Sequence, residues 1–198
     1  MLSIKILSHR DTVPIFFVLF QEGVFVKTDV GLNIRTTIKK IFDVNDEFIE
    51  NRISTILLDG KVVDDIDRAR TKEGCVLGLS GAMPGLVGAT LRTHSTYESF
   101  RKAITYTEEK GSYSIKEGIF VVKLFNILIF DLGQRLLKKG IIVYATQLKR
   151  VLEERKNTLD SIKIVLTDGT VVDPFFLKEG FTKDDKELIE IHLNDTEK

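Results

Sequence analysis

The sequence predicts an α+β protein made of two related halves. Segments rich in Val, Ile and Phe, which are typical of strands, alternate with segments whose apolar residues recur at helical spacing. The pattern D-G-x-V-V-D occurs twice, at Asp59–Asp64 and at Asp168–Asp173, each time beside strand-like residues. An internal repeat of this kind indicates that one structural unit occurs twice. We therefore expect mixed sheets that are each packed on a helix.

The first half reads as strand, strand, helix, strand, strand, strand. The segments PIFFVLF (14–20) and GVFVKTDV (23–30) predict two strands, with QEG as the turn between them. LNIRTTIKKIF (32–42) predicts a helix, because its isoleucines recur at helical spacing and Asn33 can cap its first turn. ISTILLDGKVV (53–63) predicts two strands joined by a tight turn at Asp59 and Gly60, and CVLGLS (75–80) predicts the last strand.

A long apolar segment separates the halves. The residues GIFVVKLFNILIFDLGQRLLKKG (118–140) predict a buried central helix around 118–138 that ends in basic residues and a glycine. We expect Leu124, Ile127, Leu128 and Leu132 to be buried between the two halves. A strand over 119–125 stays open as an alternative, because β-branched and aromatic residues are frequent there.

The second half repeats the first in outline. GIIVYATQLKRVLEE (140–154) predicts a strand followed by a helix, IKIVLTDGTVVD (162–173) predicts a hairpin, and ELIEIHL (187–193) predicts a closing strand. Residues 89–113 are rich in Thr and Ser and show no clear periodicity. The sequence therefore predicts a first domain over 1–90, a connector over 91–113 and a second α+β domain over 114–198.

Residues 56–85, ILLDGKVVDDIDRARTKEGCVLGLSGAMPG, resemble the second half of a β-grasp, ubiquitin-like domain. A Gly-Lys turn follows the third strand, an acidic crossing with a buried isoleucine at Ile66 comes next, and an apolar strand closes the segment. The resemblance extends over roughly residues 14–85 and implies two β-grasp-like halves. The end of the segment is also similar to the closing segment of the sulfur-carrier proteins. Those carriers act through a free C-terminal Gly-Gly, whereas here Leu86 follows Gly85 and no Gly-Gly occurs.

The glycine-rich stretch LSGAMPGLVGATLR (79–92) is the first candidate ligand site. Backbone amides without side-chain bulk can converge on an anion, and the start of a helix adds a favourable partial charge. The residues expected to bind a phosphate or another anion in this way are Ser80, Gly81, Gly85, Gly88, Thr90 and Arg92. The spacing matches neither a Walker loop nor a dinucleotide fingerprint, so the sequence favours a structural turn here and the anion site is the alternative. In either case we expect an ordered connector in which Met83, Leu86 and Val87 are packed.

Other reactive side chains lack the partners that catalysis or metal binding requires. Cys75 is the single cysteine and lies on an apolar stretch, which predicts a buried structural thiol. His9, His94 and His192 are too far apart in sequence to form a metal-ligand motif. Asp64, Asp65 and Asp67 form an acidic cluster that Arg68 and Arg70 can neutralise, which predicts a solvated face. The sequence thus predicts no catalytic residue, metal or cofactor.

Composition restricts the classes of partner. The chain of 198 residues has 29 basic and 29 acidic residues, without the basic excess of a typical nucleic-acid-binding protein. A mixed set of basic and aromatic residues is better explained as a connector than as a single-stranded nucleic-acid surface: Arg92, His94, Tyr97, Phe100, Arg101, Lys102 and Tyr106. The apolar runs are too short or too interrupted for a membrane span, and we predict a cytoplasmic protein.

These observations favour a non-catalytic binding or adaptor module with a protein partner. The alternative is an enzyme or ligand-binding protein that holds an anion with residues 80–92. A sulfur-carrier-related protein is a minor alternative. The sequence leaves the identity of the partner and the oligomeric state open.

Overall fold

The computed structural model of the chain describes residues 2–8, 10–81, 85–92, 104–107, 113–154, 162–166, 169–172 and 187–195. The chain forms two compact units. Unit 1 comprises Met1–Val24 together with Gly133–Lys198, and unit 2 comprises Phe25–Leu132. Helices and strands occur in both units, which confirms the α+β class. The linear division at 91–113 stays a prediction, because most of that connector lies outside the described residues.

The elements are numbered along the chain. The strands are β1 (Leu2–Ser8), β2 (Val24–Val30), β3 (Thr55–Leu58), β4 (Lys61–Val62), β5 (Val76–Ser80), β6 (Lys116–Phe125), β7 (Ile141–Tyr144), β8 (Ile162–Leu166), β9 (Val171–Val172) and β10 (Leu188–Asp195). The helices are α1 (Phe17–Glu22), α2 (Ile34–Phe42), α3 (Asp46–Arg52), α4 (Gly85–Leu91), α5 (Leu128–Lys139) and α6 (Ala145–Glu154), and a 3₁₀ helix over Arg10–Phe16 precedes α1.

The strands of unit 2 follow the order β4-β3-β5-β6-β2. β3 is antiparallel to both β4 and β5, with Thr55 opposite Ser80 in the latter pair, and β5 is parallel to β6. β2 leads into α2 through a short turn at Gly31 and Leu32. Ile34, Ile38 and Phe42 of α2 are fully buried, so the helix contributes its apolar face to the core.

The strands of unit 1 follow the order β9-β8-β1-β10-β7. β8 is antiparallel to β9 and to β1, β1 is parallel to β10, and β10 is antiparallel to β7. A helix, α6, follows β7 directly, as α2 follows β2. The two units therefore share one sheet order. A hairpin comes first, and the next strand is antiparallel to it. The third element is parallel to that strand, and the last strand of the order leads into a helix.

The strand predicted over 14–20 is wrong, because this segment forms the 3₁₀ helix and α1. Its buried residues include Val13, Phe16, Phe17 and Phe20, which have the i, i+3, i+4, i+7 spacing of a helical face. Pro14, which lacks a backbone N–H, lies inside the 3₁₀ helix and is exposed. The helical spacing, rather than the high content of Phe and Val, determines the structure here.

The helix predicted around 118–138 is wrong in its first part. Residues Lys116–Phe125 form β6, in which buried and half-buried residues alternate from Gly118 onward, as the alternative strand over 119–125 requires. Asn126 then adopts a left-handed conformation with φ 55°, and α5 begins at Leu128. The change from alternating to helical burial at Asn126 explains why one continuous helix does not form.

The residues predicted to be buried in this segment are buried in three of four cases. Leu124, Leu128 and Leu132 have no exposed side-chain surface, whereas Ile127 is 49% exposed and its prediction is wrong. Ile127 lies in the turn between β6 and α5, before the helical face toward the core begins. Their position between two halves stays a prediction.

The described residues of both D-G-x-V-V-D segments lie outside helices, as predicted. Asp59 and Gly60 have φ values of 50° and 78° and join β3 to β4 as a two-residue turn. Gly169 has φ 87° and precedes β9, which is antiparallel to β8. Asp168 and Asp173 lie outside the described residues. Positive φ at Gly60 and Gly169 confirms the predicted role of glycine in these turns.

Within the described residues, no helix has the length and hydropathy needed to cross a membrane.

Candidate functional site

Unit 2 contains an open groove with a volume of about 860 Å³. α2, α3, β3 and the turn that follows β4 contribute its walls. The groove is lined by Arg35, Ile49, Glu50, Ile53, Ser54, Ile56, Asp64, Asp65, Ile66, Asp67 and Arg92. Its surface thus combines four isoleucines with four carboxylates and two guanidinium groups.

Two capped helices position the groove residues of α2 and α3. The Asn33 side chain accepts the N–H of Thr36 at 2.8 Å, and the Asn45 side chain accepts the N–H of Phe48 at 2.9 Å. Each cap satisfies a donor that the first turn of a helix leaves without a partner. α2 therefore begins at a defined residue, which places Arg35 in the first turn, at the margin of the buried face of the helix. α3 likewise presents Ile49 to the groove.

Arg35 is the centre of an ion-pair network at the groove. Its Nε donates to Asp67 Oδ1 at 2.7 Å and its Nη2 donates to Asp67 Oδ2 at 3.0 Å, a bidentate arrangement. Its Nη1 lies 3.2 Å from Asp46 Oδ1 and 3.5 Å from Glu50 Oε1. Lys39 Nζ donates to the other oxygen of Asp46 at 2.8 Å. The network joins α2, α3 and the acidic turn at one wall of the groove.

These contacts shift the pKa values of the paired groups. The hydrogen bonds from Arg35 lower the pKa of Asp67 below its ordinary value, and the hydrogen bond from Lys39, followed by that from Arg35, lowers the pKa of Asp46. The hydrogen bond to Asp67 raises the pKa of Arg35, although burial acts in the opposite direction. All three side chains are therefore ionised at neutral pH.

We expect substitution of Arg35 to remove part of the acid dependence of stability. Because folding lowers the pKa of Asp46 and Asp67, their contribution is present above the unfolded pKa of about 3.9 and is lost as the pH falls through the folded pKa. In Arg35→Gln the Asp67 pKa returns toward its ordinary value. The melting temperature of the variant should therefore lie below that of the wild type near neutral pH, and the gap should narrow below about pH 4. A gap of constant size throughout an acid titration would contradict this assignment.

The acidic turn between β4 and β5 is held by its own hydrogen bonds. Asp65 Oδ1 accepts the N–H of Asp67 at 3.2 Å and the N–H of Arg68 at 3.0 Å, and the backbone N–H of Arg35 donates to the carbonyl of Ile66 at 3.2 Å. Ile66 was expected to be buried, and it is instead half-exposed in the groove. The turn thus presents one apolar side chain between carboxylates.

The cations near this acidic turn include one that the sequence analysis did not name. Arg68 Nε lies 4.0 Å from Asp65 Oδ2, while Arg70 Nη1 donates to the carbonyl of Gly31 at 2.9 Å. Asp67 instead pairs with Arg35, which lies 32 positions earlier in the sequence. No group of three or more His, Cys, Asp or Glu residues suitable for a metal ion occurs among the described residues.

The glycine-rich stretch is divided between the end of a strand and a helix. Ser80 is the last residue of β5 and is buried, with its Oγ donating to the carbonyl of Gly81 at 3.2 Å and accepting from Asn126 Nδ2 at 2.9 Å. Gly81 is buried as well, and a Cβ at this position would lie 2.8 Å from Ile127 Cγ2. These two residues face the start of α5, so their closest contacts are with protein atoms.

Of the other predicted binding residues, Gly85, Gly88 and Thr90 belong to α4. Gly85 is exposed with φ 76°, Gly88 is buried, and Thr90 Oγ1 donates to the carbonyl of Leu86 within the helix at 2.8 Å. Arg92 follows α4 and lines the groove. The structure thus brings Arg92 to the groove but gives Ser80, Gly81 and Thr90 protein partners elsewhere. Anion binding by these six residues stays a prediction.

The expected packing of the glycine-rich connector is wrong at Leu86, which is 72% exposed. Leu86 lies in the first turn of α4, on a side of the helix without a covering element among the described residues. Met83 lies outside the described residues, and the same is true of the Val87 side chain.

Cys75 is buried, as the sequence predicts. Burial raises the pKa of its thiol to about 11, and the backbone N–H of Lys72 donates to its Sγ at 3.4 Å. The thiol is therefore protonated at neutral pH, which is typical of a structural cysteine.

A second cavity of about 250 Å³ shares Asp64 and Asp65 with the groove and is also lined by Val63, Arg68, Ala69, Tyr106 and Thr107. The backbone N–H of Tyr106 donates to the carbonyl of Val62 at 2.7 Å, so residues beside Tyr106 contact the edge strand β4. Of the basic and aromatic set considered in the sequence analysis, Arg92 and Tyr106 are described. His94, Tyr97, Phe100, Arg101 and Lys102 lie outside the described residues.

Sequence reasoning missed Arg35, Ile49, Glu50 and Ile53 as groove residues. A signal for α3 was present, because Asn45 precedes Asp46 and Glu47, and acidic residues favour the first turn of a helix. Comparison of the chain with protein-family models, with curated proteins and with solved structures finds no match.

Proposed function

We propose that the protein is a non-catalytic binding module in which the groove of unit 2 receives an apolar side chain of a protein partner. The observation that carries this proposal is the apolar lining formed by Ile49, Ile53, Ile56 and Ile66. Concave apolar sites with a few placed polar groups are the usual form of a binding site. Burial of one leucine or isoleucine side chain there contributes about 1.5–3 kcal/mol to binding.

The ion-pair network supports a preformed groove. Arg35 bridges the acidic turn and α3 through Asp67, Asp46 and Glu50, so the wall is held before a partner arrives. A preformed site loses less side-chain and loop entropy when it binds. The groove can therefore bind a partner at a lower entropic cost than a surface that must first become ordered.

We further propose that both halves are β-grasp-like. In support, each unit has a hairpin, an adjacent antiparallel strand, a parallel neighbour and a strand followed by a helix. The sulfur-carrier alternative receives less support, because Gly85 begins α4 and the chain continues as a helix. Cytoplasmic location stays a prediction from the sequence.

The test compares two isoleucine-to-aspartate variants by co-purification from the native organism and quantitative mass spectrometry. Ile66→Asp places a charge on the apolar lining of the groove, where it must lose solvation when a partner binds. Ile115→Asp is the matched control, since Ile115 is exposed, belongs to the same unit and lies outside the groove lining. We expect the wild type and Ile115→Asp to retain the same partner and Ile66→Asp to lose it.

Retention of that partner by Ile66→Asp at the level of the wild type would contradict the proposal. Substrate turnover by the purified protein, together with the absence of any specifically retained protein, would contradict it as well. Circular dichroism of the three proteins separates loss of binding from loss of folding.

A further inference from the structure

We propose that the segment bound in the groove carries a lysine or arginine next to its apolar side chain. This inference rests on the proposed function, and it assigns the chemistry of the partner at the same groove. It concerns a protein segment, so an anionic ligand at the groove becomes an outcome that the test can detect.

The charge of the groove lining favours a basic occupant. Four carboxylates and two guanidinium groups line it, so acidic groups exceed basic ones. The side chains of Glu50, Asp65 and Asp67 are between 57% and 66% exposed, and they are accessible to an approaching partner. An acidic surface attracts a basic segment and speeds its association.

The guanidinium of Arg35 is a weak candidate for binding an anion. Its Nε and Nη2 are occupied by Asp67, and its Nη1 faces Asp46 and Glu50. A phosphate would have to displace a bidentate carboxylate and would then lie beside the remaining acidic groups. A lysine or arginine of a partner can instead donate hydrogen bonds to these carboxylates without displacing Arg35, because each carboxylate oxygen accepts more than one hydrogen bond.

The positions of the isoleucines explain why charge and hydrophobicity should act together. Ile49, Ile53 and Ile56 are buried and form the deep part of the groove, whereas Ile66 is half-exposed within the acidic turn. Asp65 and Asp67 adjoin Ile66 in sequence and line the same groove, so a partner residue that contacts Ile66 lies near both carboxylates. An aliphatic side chain followed by a basic one satisfies both parts of this surface, and the methylene stem of the basic residue can cover Ile66.

The test measures fluorescence anisotropy with three labelled peptides that have leucine at the same positions. Their remaining positions carry lysine, glutamate or glutamine, so the peptides differ in charge and share apolar content. We expect the lysine peptide to bind most tightly and its affinity to fall as salt concentration rises. Excess inorganic phosphate at constant ionic strength should leave its binding unchanged.

Variants that neutralise carboxylates of the groove test whether these groups cause the preference for the lysine peptide. Glu50→Gln combined with Asp65→Asn removes two negative charges, and the amide oxygen that the second substitution introduces can still accept the backbone N–H groups of the turn. We expect this double variant to bind the lysine peptide about 2- to 20-fold more weakly. Glu117→Gln is the control, because Glu117 is exposed on β6, pairs with Lys27 and should leave the affinity unchanged.

Equal or tighter binding of the glutamate or glutamine peptide would overturn the inference, as would competition by phosphate or failure of the lysine peptide to bind. The proposed function is judged separately, by whether Ile66→Asp loses the co-purified partner. If the partner is lost on that substitution while the peptides show no preference for lysine, the groove binds but its partner is not basic. If the partner is retained, the groove assignment itself fails.

Discussion

Replacement of Leu128 by alanine is expected to lower the free energy of unfolding by about 2–5 kcal/mol. Leu128 is the first residue of α5 and its side chain is fully buried. Its Cγ lies 3.8 Å from the position that a Cβ at Gly81 would occupy, so the side chain packs closely where β5 ends. Truncation leaves a cavity in addition to the loss of buried apolar surface. Urea denaturation followed by circular dichroism measures the change.

Phe130→Ala is the matched control in the same helix. Phe130 is 60% exposed, and we expect its truncation to cost less than about 1 kcal/mol. Equal losses for the two variants would contradict the orientation of α5, since they would mean that the helix buries both sides equally.

Replacement of Gly31 by alanine is expected to lower the free energy of unfolding by about 2–5 kcal/mol, as the sum of backbone strain and overpacking. Gly31 has φ 88°, a conformation that side chains disfavour, and a Cβ there would lie 2.6 Å from the carbonyl oxygen of Ser114. Its N–H donates to the carbonyl of Thr71 at 2.8 Å, which fixes the position of the turn. The clash therefore involves backbone atoms that cannot move aside easily. Thermal and urea denaturation measure the loss.

The variant Gly60→Ala separates the energetic cost of backbone strain from that of steric overlap. Gly60 has a similar φ of 78°, but a Cβ at this position meets no atom within 4 Å. We expect this variant to lose about 1–2 kcal/mol through strain alone. A loss as large as that of Gly31→Ala would show that the close approach of Ser114 has no energetic consequence.

Local patterns predicted the elements that such patterns determine. The helix over α2, its Asn33 cap, the turn at Asp59 and Gly60, and the strand–helix succession of β7 and α6 all follow from spacing and from single turn residues. The predictions over 14–20 and 118–125 failed where two signals competed. In the first, helical spacing prevailed over β-propensity, and in the second, alternation prevailed over overall apolarity.

The groove depends on contacts that no local pattern displays. Arg35 meets Asp67 across 32 positions of sequence, and α3 adds Ile49 and Glu50 from a segment that sequence reasoning left unassigned. The glycine-rich stretch drew attention because its composition is unusual. Yet its hydroxyl groups bond to neighbouring protein atoms, as at Thr90, and Arg92 is its contribution to the groove. The unusual composition indicated a turn of the chain, whereas the groove is formed by tertiary contacts.

Backbone amide hydrogen exchange, measured with and without a saturating concentration of the lysine peptide, tests most directly whether the groove is the binding surface. Exchange should slow in α3 and β3, which carry the buried isoleucines, and in the turn over 64–67. The helix α6 of unit 1 serves as an internal reference and should be unaffected. Unchanged exchange in all three groove segments, or protection confined to α4, would contradict the account.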